Sequence, residues 1–472
     1  MKQKERKQIL KYIVADFLTA NIAWFLFNIV RFDKSAIYQG YWELHEYLLS
    51  HKVFWGQIII PFVWIGIYYY SGYYNRAFRK SRLMELTSTL FCTLIGSILI
   101  FFSVLLNDLP PFYELYYKLC VALFSIHFIL TYSVRFCITQ TATNKIHHRK
   151  LKFNTIIIGT GTRAFNLYTD LNRMTQSLGY NVLGFILPEN EHQVSVPKKL
   201  ILGEWEDLES VITPDIEDII VVTENNEEKE MERLYSLYKY GIPVKILATK
   251  HDILLGNVKM TTIYDKPMYE LFVAFRSDID KNIKKTLDVI ISFFVLLLLS
   301  PLYLFLAVRI KLNDPKSSIF FAQERIGKGG KPFLMYKFRT MNPDAECEGP
   351  SLSMENDPRN TAVGSWMRKY RLDELPQFWN VLKGDMSVVG PRPERQFFIR
   401  EIVKKAPFFY LLYQVKPGIT SWGMVKYGYA QSVNEMIERL DYDIIYLENM
   451  SLFIDLKILI YTIKTVLMGK GI

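Results

Sequence analysis

The residues able to do chemistry crowd the last third of this 472-residue chain. Beyond His251 there is no further histidine, and Cys347 is the only cysteine there. Ser-His-Asp and Cys-His nucleophilic catalysis, and histidine-based zinc sites, are thereby excluded from that region. It is dense instead in arginine, lysine and carboxylates. One run, Gln323-Glu-Arg-Ile-Gly-Lys-Gly-Gly-Lys-Pro-Phe333, leads on to Lys337-Phe-Arg-Thr-Met341. A second, Arg371-Leu-Asp-Glu-Leu-Pro-Gln-Phe-Trp-Asn380, sets Asp373 beside Glu374 at a predicted helix start. A third, Lys383-Gly-Asp-Met-Ser-Val-Val-Gly-Pro-Arg-Pro393, encloses Arg392 between prolines. Such a set suits phosphoryl chemistry: cations clamp phosphate oxygens, a divalent metal neutralises charge, and a carboxylate can attack phosphorus.

Each run also has a purely structural reading. Acidic residues are favoured in a helix's first turn by its dipole, and Pro376 suits that turn. Adjacent helical positions diverge by about 100°, so Asp373 and Glu374 need not share one task. Lys337 and Arg339, alternating around Phe338, fit a half-exposed strand. Arg392 is harder to dismiss, because its rigid flanks aim a planar fork suited to phosphate.

These residues need elements to hold them, and the rest of the chain points to a membrane. The net charge is +10, yet half of the residues are hydrophobic, and mean hydropathy is +0.08. That excludes a disordered chain, which would be poor in apolar residues. Four apolar runs, Leu10–Val30, Val53–Tyr70, Thr89–Leu106 and Leu115–Ile138, are near the roughly 20 residues that span a hydrocarbon core. No cleavable signal peptide is expected, because the first run is too long. Asp16 lies inside that run and needs a partner within the bundle. Arginines and lysines concentrate before the first run, between the second and third, and after the fourth. The positive-inside rule then puts the N-terminus and everything after residue 145 in the cytoplasm. Basic runs that abut membrane spans answer to topology and anionic lipid, so no nucleic-acid partner is expected. The four cysteines have no metal or disulfide spacing.

The middle of the chain alternates strand and helix patterns, which implies a parallel sheet. Strands are predicted around residues 154–158, 181–187, 218–222 and 243–247. Gly159, Gly161 and Ala164 fit the G-x-G-x-x-A dinucleotide fingerprint, but Glu189 comes late for a ribose. Tyr235 and Lys239 make a Y-x-x-x-K pair without an evident Ser/Thr partner. Catalysis, ligand sensing and a scaffold role all remain open for this domain. Val289–Val308 is a fifth apolar segment, broken by Ser300-Pro301 and flanked by lysine or arginine at both ends. Charge on both sides and a proline at the midpoint predict a helix–break–helix hairpin dipping into one leaflet, with a spanning helix as the alternative.

Lys285-Thr-Leu-Asp288, Ser300-Pro301, Lys337–Met341, Arg371–Gln377, Asn380–Pro393 and Pro417-Gly-Ile-Thr420 occur in that order. Together they resemble the bacterial sugar transferase family, the polyprenyl-phosphate glycosyl-1-phosphate transferases, and the preceding segments resemble its long members. The resemblance implies transfer of a hexose-1-phosphate from a UDP-sugar to undecaprenyl or another polyprenyl phosphate, releasing UMP. It implies Asp373 as nucleophile through an aspartyl-phosphosugar intermediate and Glu374 as ligand to Mg2+ (or Mn2+). It further implies Lys337, Arg339, Arg371 and Arg392 as phosphate- or nucleotide-binding residues, with Asp443 in support. Ser300 and Pro301 would break a re-entrant hairpin over 285–311. The architecture it implies is a four-helix transmembrane bundle (1–144), a Rossmann-like parallel α/β domain (145–252) and a linker (253–280). A mainly helical monotopic catalytic domain (281–472) follows. The expected setting is the bacterial cytoplasmic membrane, multi-pass, with catalysis on the cytoplasmic face, in the first membrane step of exopolysaccharide, capsule or O-antigen synthesis. A homodimer is the guess for assembly. Family members often read Pro-Gly-Ile-Thr-Gly-Trp, whereas this chain has Ser421 before Trp422. Two alternatives are carried: a membrane-anchored sugar-nucleotide oxidoreductase or dehydratase using the α/β domain, and a non-enzymatic polysaccharide-assembly scaffold.

Overall fold

A computed structural model of the chain describes residues 2–35, 40–75, 77–78, 80, 82–104, 113–188, 194–222, 228–249, 268–270, 277–342, 344–345, 347, 349–352, 354 and 357–469. The chain forms two compact units. Most of the expected linker, and Glu189, lie outside the described residues.

The first unit is built mainly from residues 1–153. Its long helices are Lys2–Ser35, His51–Tyr70, Arg82–Val104 and Tyr113–His147. All four are long and apolar enough to cross a membrane. Asp16 finds the partner it needs. Arg135 Nε and Nη2 each donate to its carboxylate at 2.7 Å, and the Tyr74 hydroxyl donates at 2.8 Å. Both charged side chains are buried. A single unpaired charge there would be costly, so the ion pair is what lets this helix keep an acid among apolar residues. Gly96 lets the second and third of these helices meet closely, since a Cβ at that position would stand 2.2 Å from the Trp64 ring.

The second unit contains the sheet and the C-terminal segment. Strands β1 (Phe153–Ile158), β2 (Tyr180–Leu187), β3 (Ile201–Glu204), β4 (Asp218–Val221), β5 (Val244–Leu247) and β6 (Met268–Glu270) lie in the order β3-β2-β1-β4-β5-β6. Strands β1 to β5 make the parallel part, and β6 adds antiparallel to β5. Four of these strands are the predicted ones. The edge strands β3 and β6 are not legible in the sequence, because each is only three or four residues long and neither is a continuous apolar run. β4 is buried at every residue, as a strand covered on both faces must be.

The fifth apolar segment is two helices, Asp278–Leu298 and Ser300–Asn313, bent by 60° at the break. Pro301 falls in the first turn of the second helix, where its missing N–H costs nothing. The Ser300 hydroxyl donates to the Leu297 carbonyl at 2.8 Å, satisfying an acceptor that the break frees. An antiparallel hairpin follows, β7 (Phe320–Ile326) with β8 (Pro332–Phe338). Its tip carries Gly329 and Gly330, both at positive φ. A Cβ on Gly330 would lie 2.4 Å from the Lys239 carbonyl oxygen, so the tip seats directly on the α/β layer. Ile326, Phe398, Ile402 and Leu412 share one hydrophobic core with Ile219, Val221 and Ile246 of the sheet. A short parallel pair, β9 (Ser387–Val389) and β10 (Gly418–Thr420), and the helices Val433–Glu448 and Leu452–Leu467 complete the unit.

Candidate active site

Asp373 and Glu374 occupy a single 3-10 turn, Leu372–Glu374, rather than the first turn of an α-helix. The α-helix Gln377–Lys383 begins three residues later, with Pro376 just before its first turn. Both carboxylates are buried, which the helix-dipole explanation does not require. Arg371 enters the turn in the left-handed region, at φ 53°, an uncommon conformation for a non-glycine residue that tends to mark functional sites.

Three cations surround Glu374. Lys337 Nζ lies 3.4 Å from Oε1, Arg392 Nη1 3.6 Å from Oε1, and Arg371 Nη1 3.7 Å from Oε2. All three contacts are longer than the 2.7–2.9 Å of a tight charge-assisted hydrogen bond. Arg371 Nε is buried without a hydrogen-bond partner. Asp373 makes no hydrogen bond or ion pair with a described residue. The two neighbouring carboxylates are pushed in opposite directions. Burial raises the Asp373 pKa and the Glu374 charge adds to the rise, with Lys337 opposing. Burial also acts against the Glu374 charge, but Lys337, Arg371 and Arg392 outweigh it and hold this carboxyl well below its usual range. Paired carboxyls whose environments separate them in this way suit different tasks. Of the two, Asp373 is the less stabilised anion.

The elements that position the cluster are identifiable. Strand β8 carries Lys337, and Asn380 locks that strand to the Gln377–Lys383 helix. Asn380 Oδ1 accepts the Tyr336 N–H at 3.0 Å, and its Nδ2 donates to the Leu334 carbonyl at 2.7 Å. The Tyr303 hydroxyl, on the second arm of the bent helix pair, donates to the Leu375 carbonyl at 2.6 Å. Asp288, on the first arm, accepts from the Ser387 hydroxyl and the Val388 N–H at 2.8 and 3.1 Å. The bent pair therefore braces both the acidic turn and the strand that leads into Gly390-Pro391-Arg392-Pro393. That last turn is held by the Gly418 N–H on the Pro391 carbonyl at 2.9 Å and by Arg325 on the Pro393 carbonyl at 3.1 Å. Behind it, Arg439 pairs with Glu394 at 2.6 Å.

Two expected site residues do not join the cluster. Arg339 follows β8, but the strand ends at Phe338 and the chain turns. Its guanidinium is held by the Ser318 carbonyl and hydroxyl at 3.1 and 3.0 Å, beside a small cavity lined by Asp314 and Thr361. Asp443 is buried under the Arg392 turn. It accepts the Gly423 N–H at 3.0 Å, at the start of the helix Trp422–Lys426, and the Arg392 backbone N–H is near enough to favour its charge. Burial raises its pKa, and these donors oppose the rise. Ser421 proves to be a helix cap, its hydroxyl accepting the Met424 N–H at 3.0 Å.

The motifs of the α/β layer are engaged elsewhere. Gly159 is required at φ 119° because a Cβ would stand 2.5 Å from the Val222 carbonyl oxygen. The Ser195 N–H bonds the Thr160 carbonyl at 2.9 Å, closing the glycine turn with the chain's own backbone. Tyr235 sits on the helix Glu228–Ser236, whereas Lys239 belongs to the following 3-10 turn and is paired with Glu209.

Comparison with known proteins decides the family. Residues 279–469 match the bacterial sugar transferase family. The uncharacterized sugar transferase EpsL of Bacillus subtilis (strain 168) is 40% identical over 192 residues, which is 40% of this chain and 90% of that protein. The chain belongs to the bacterial sugar transferase family. The matched segment contains the whole Glu374 cluster and the bent helix pair that braces it. A UDP-N-acetylgalactosamine-undecaprenyl-phosphate N-acetylgalactosaminephosphotransferase of Aeromonas hydrophila is 39% identical over 230 residues, 49% of this chain and 53% of that protein. A UDP-glucose:undecaprenyl-phosphate glucose-1-phosphate transferase of Escherichia coli (strain K12) is 34% identical over 211 residues, 44% of each chain. The match thus spans about half the length of these two sugar transferases.

Proposed function

We propose that this protein transfers a hexose-1-phosphate, with or without an N-acetyl group, from a UDP-sugar to undecaprenyl phosphate. The products are undecaprenyl-diphosphate-sugar and UMP, in the first membrane step of exopolysaccharide, capsule or O-antigen synthesis. The observation that carries the reading is the arrangement of three cations around Glu374 beside an unengaged, buried Asp373. The activities named for the Aeromonas and Escherichia relatives support it.

In the reaction, an Asp373 carboxylate oxygen attacks the sugar-bearing phosphorus. The bridging P–O bond breaks, and its electron pair leaves on UMP. The product is an aspartyl-phosphosugar. A phosphate oxygen of undecaprenyl phosphate then attacks the same phosphorus, forming the new diphosphate and returning the Asp373 carboxylate. One phosphoanhydride is exchanged for another, so no further energy source is needed. Arg371, Arg392 and Lys337 hold the diphosphate oxygens, and their three charges against two carboxylates leave the site net cationic for an anionic substrate. Mg2+ is commonly held by one or two carboxylates together with substrate phosphates, so Glu374 fits as its protein ligand. Such an ion (or Mn2+) would supply neutralisation of phosphate charge.

The bent pair Asp278–Leu298 and Ser300–Asn313 is read as a re-entrant hairpin. That keeps the cluster at the cytoplasmic face of the inner membrane, where the lipid phosphate lies. The basic flanks at both ends support it. The test is a panel of UDP-sugars offered to purified protein with undecaprenyl phosphate, reading UMP. Turnover with one sugar, and its abolition in Asp373→Asn, are expected; full activity in that variant would remove Asp373 as nucleophile.

A further inference from the structure

Arg371 and Arg392 pose a physical problem. Both must keep N–H donors open for a diphosphate, yet a long, flexible side chain needs something to hold it in place. Glu374 does not do this firmly, since its contacts to them are 3.7 and 3.6 Å, and the further bond from Arg392 Nη1 goes to a weak acceptor, Met424 Sδ at 3.1 Å. Arg371 is nine-tenths buried with its Nε unpartnered. The aromatic ring of Tyr429 lies against both. Its centroid is 5.1 Å from the Arg371 guanidinium carbon and 5.6 Å from that of Arg392. Tyr429 comes from the loop Gly428–Gln431, between the helices Trp422–Lys426 and Val433–Glu448. No other ring stacks on either guanidinium among the described residues.

We propose that Tyr429 is a positioning residue that fixes the two phosphate-binding guanidiniums by cation–π contact with its ring face. A carboxylate in the same place would consume the N–H donors and neutralise the charge. A ring carries no charge and forms no ion pair with the N–H donors, so it leaves both for the diphosphate. Holding both forks before binding lowers the entropy lost when substrate arrives.

The proposal rests on the transferase reading, but binding of UDP tests it apart from turnover. Affinity for UDP is measured by calorimetry on full-length wild type, Tyr429→Leu and Tyr429→Phe, with thermal unfolding as the check on folding. Tyr429→Leu is expected to weaken UDP by about tenfold, with the same rise in KM for the UDP-sugar and a smaller change in kcat. Tyr429→Phe, which keeps the ring, restores wild-type affinity. Equal UDP affinity in wild type and a folded Leu variant overturns the proposal. So does weakening by Phe as severe as by Leu, because the hydroxyl and not the ring would then matter. That Phe comparison stands even if the Leu variant does not fold. UDP binding that follows this ring pattern in a protein that turns over no UDP-sugar would sink the transferase reading and leave Tyr429's role intact.

Discussion

Among single residues, the contrast between Arg392 and Arg339 is the sharpest. Arg392 is fixed by flanking prolines and by the backbone bonds beneath it, and it faces Glu374. A lysine there loses the planar fork, so Arg392→Lys should lower kcat/KM by roughly tenfold or more. Arg339→Lys, outside the cluster, should change it by less than about twofold. Equal losses in UMP release would mean that Arg339 reaches the substrate after all. Asp357 gives a pH prediction. Hydrogen bonds from Arg359 hold its carboxyl down at about 2, the side-chain bond mattering most. The folded value is depressed, so the contribution to stability is full above the ordinary carboxylate range and is lost as pH falls toward 2. Acid unfolding of the purified protein should steepen below about pH 4, and Asp357→Asn should flatten that part of the curve. A curve unchanged by the substitution would show the pair to be energetically silent.

Elements explain why residues from distant parts of the chain meet. The bent helix pair reaches the acidic turn through Tyr303 and the Arg392 strand through Asp288. The β7–β8 hairpin delivers Lys337, and its tip is set by Gly330 against the Lys239 carbonyl. An added methyl there meets backbone oxygen at positive φ and has no flexible neighbour to displace. Gly330→Ala should therefore destabilise the protein by about 1–3 kcal/mol, with a lower unfolding temperature. An unaltered temperature would mean that the tip is not seated as described. How far these elements are legible in sequence depends on their period. The long apolar runs, the parallel strands and the Ser300-Pro301 break all announce themselves. Lys337 and Arg339 do not separate, because a two-residue period gives them one face. Only the end of β8 at Phe338 sends Arg339 to Ser318. Tyr429 carried no motif, since an aromatic in a loop signals nothing until two arginines are seen beside it.

Across the second unit, the α/β layer and the C-terminal segment bury a common core. The segment Pro407–Gln414 packs on the helix Glu228–Ser236. Residues 277–472 expressed alone should expose Ile402, Leu412 and their neighbours. They should unfold at least about 5 °C below residues 154–472, a difference calorimetry in detergent would read. Equal stability would show the sheet to be dispensable to the site.

By itself the sequence determined what local pattern and composition control. Twenty-residue apolar runs must leave water, a Ser300-Pro301 step with basic residues at both ends marks the bend in the fifth, and a region without histidine offers carboxylates and cations for its chemistry. The tertiary structure decided what depends on distance through space. It separated Asp373 from Glu374 by bringing three cations within ion-pair distance of the second and, among the described residues, none within that distance of the first. It set Asp443 on the Gly423 N–H, apart from the cations around Glu374, and it brought Tyr429 against both guanidiniums. Electrostatics and stacking act over a few ångströms, and residues 371, 392 and 429 become neighbours on that scale only when the chain has folded.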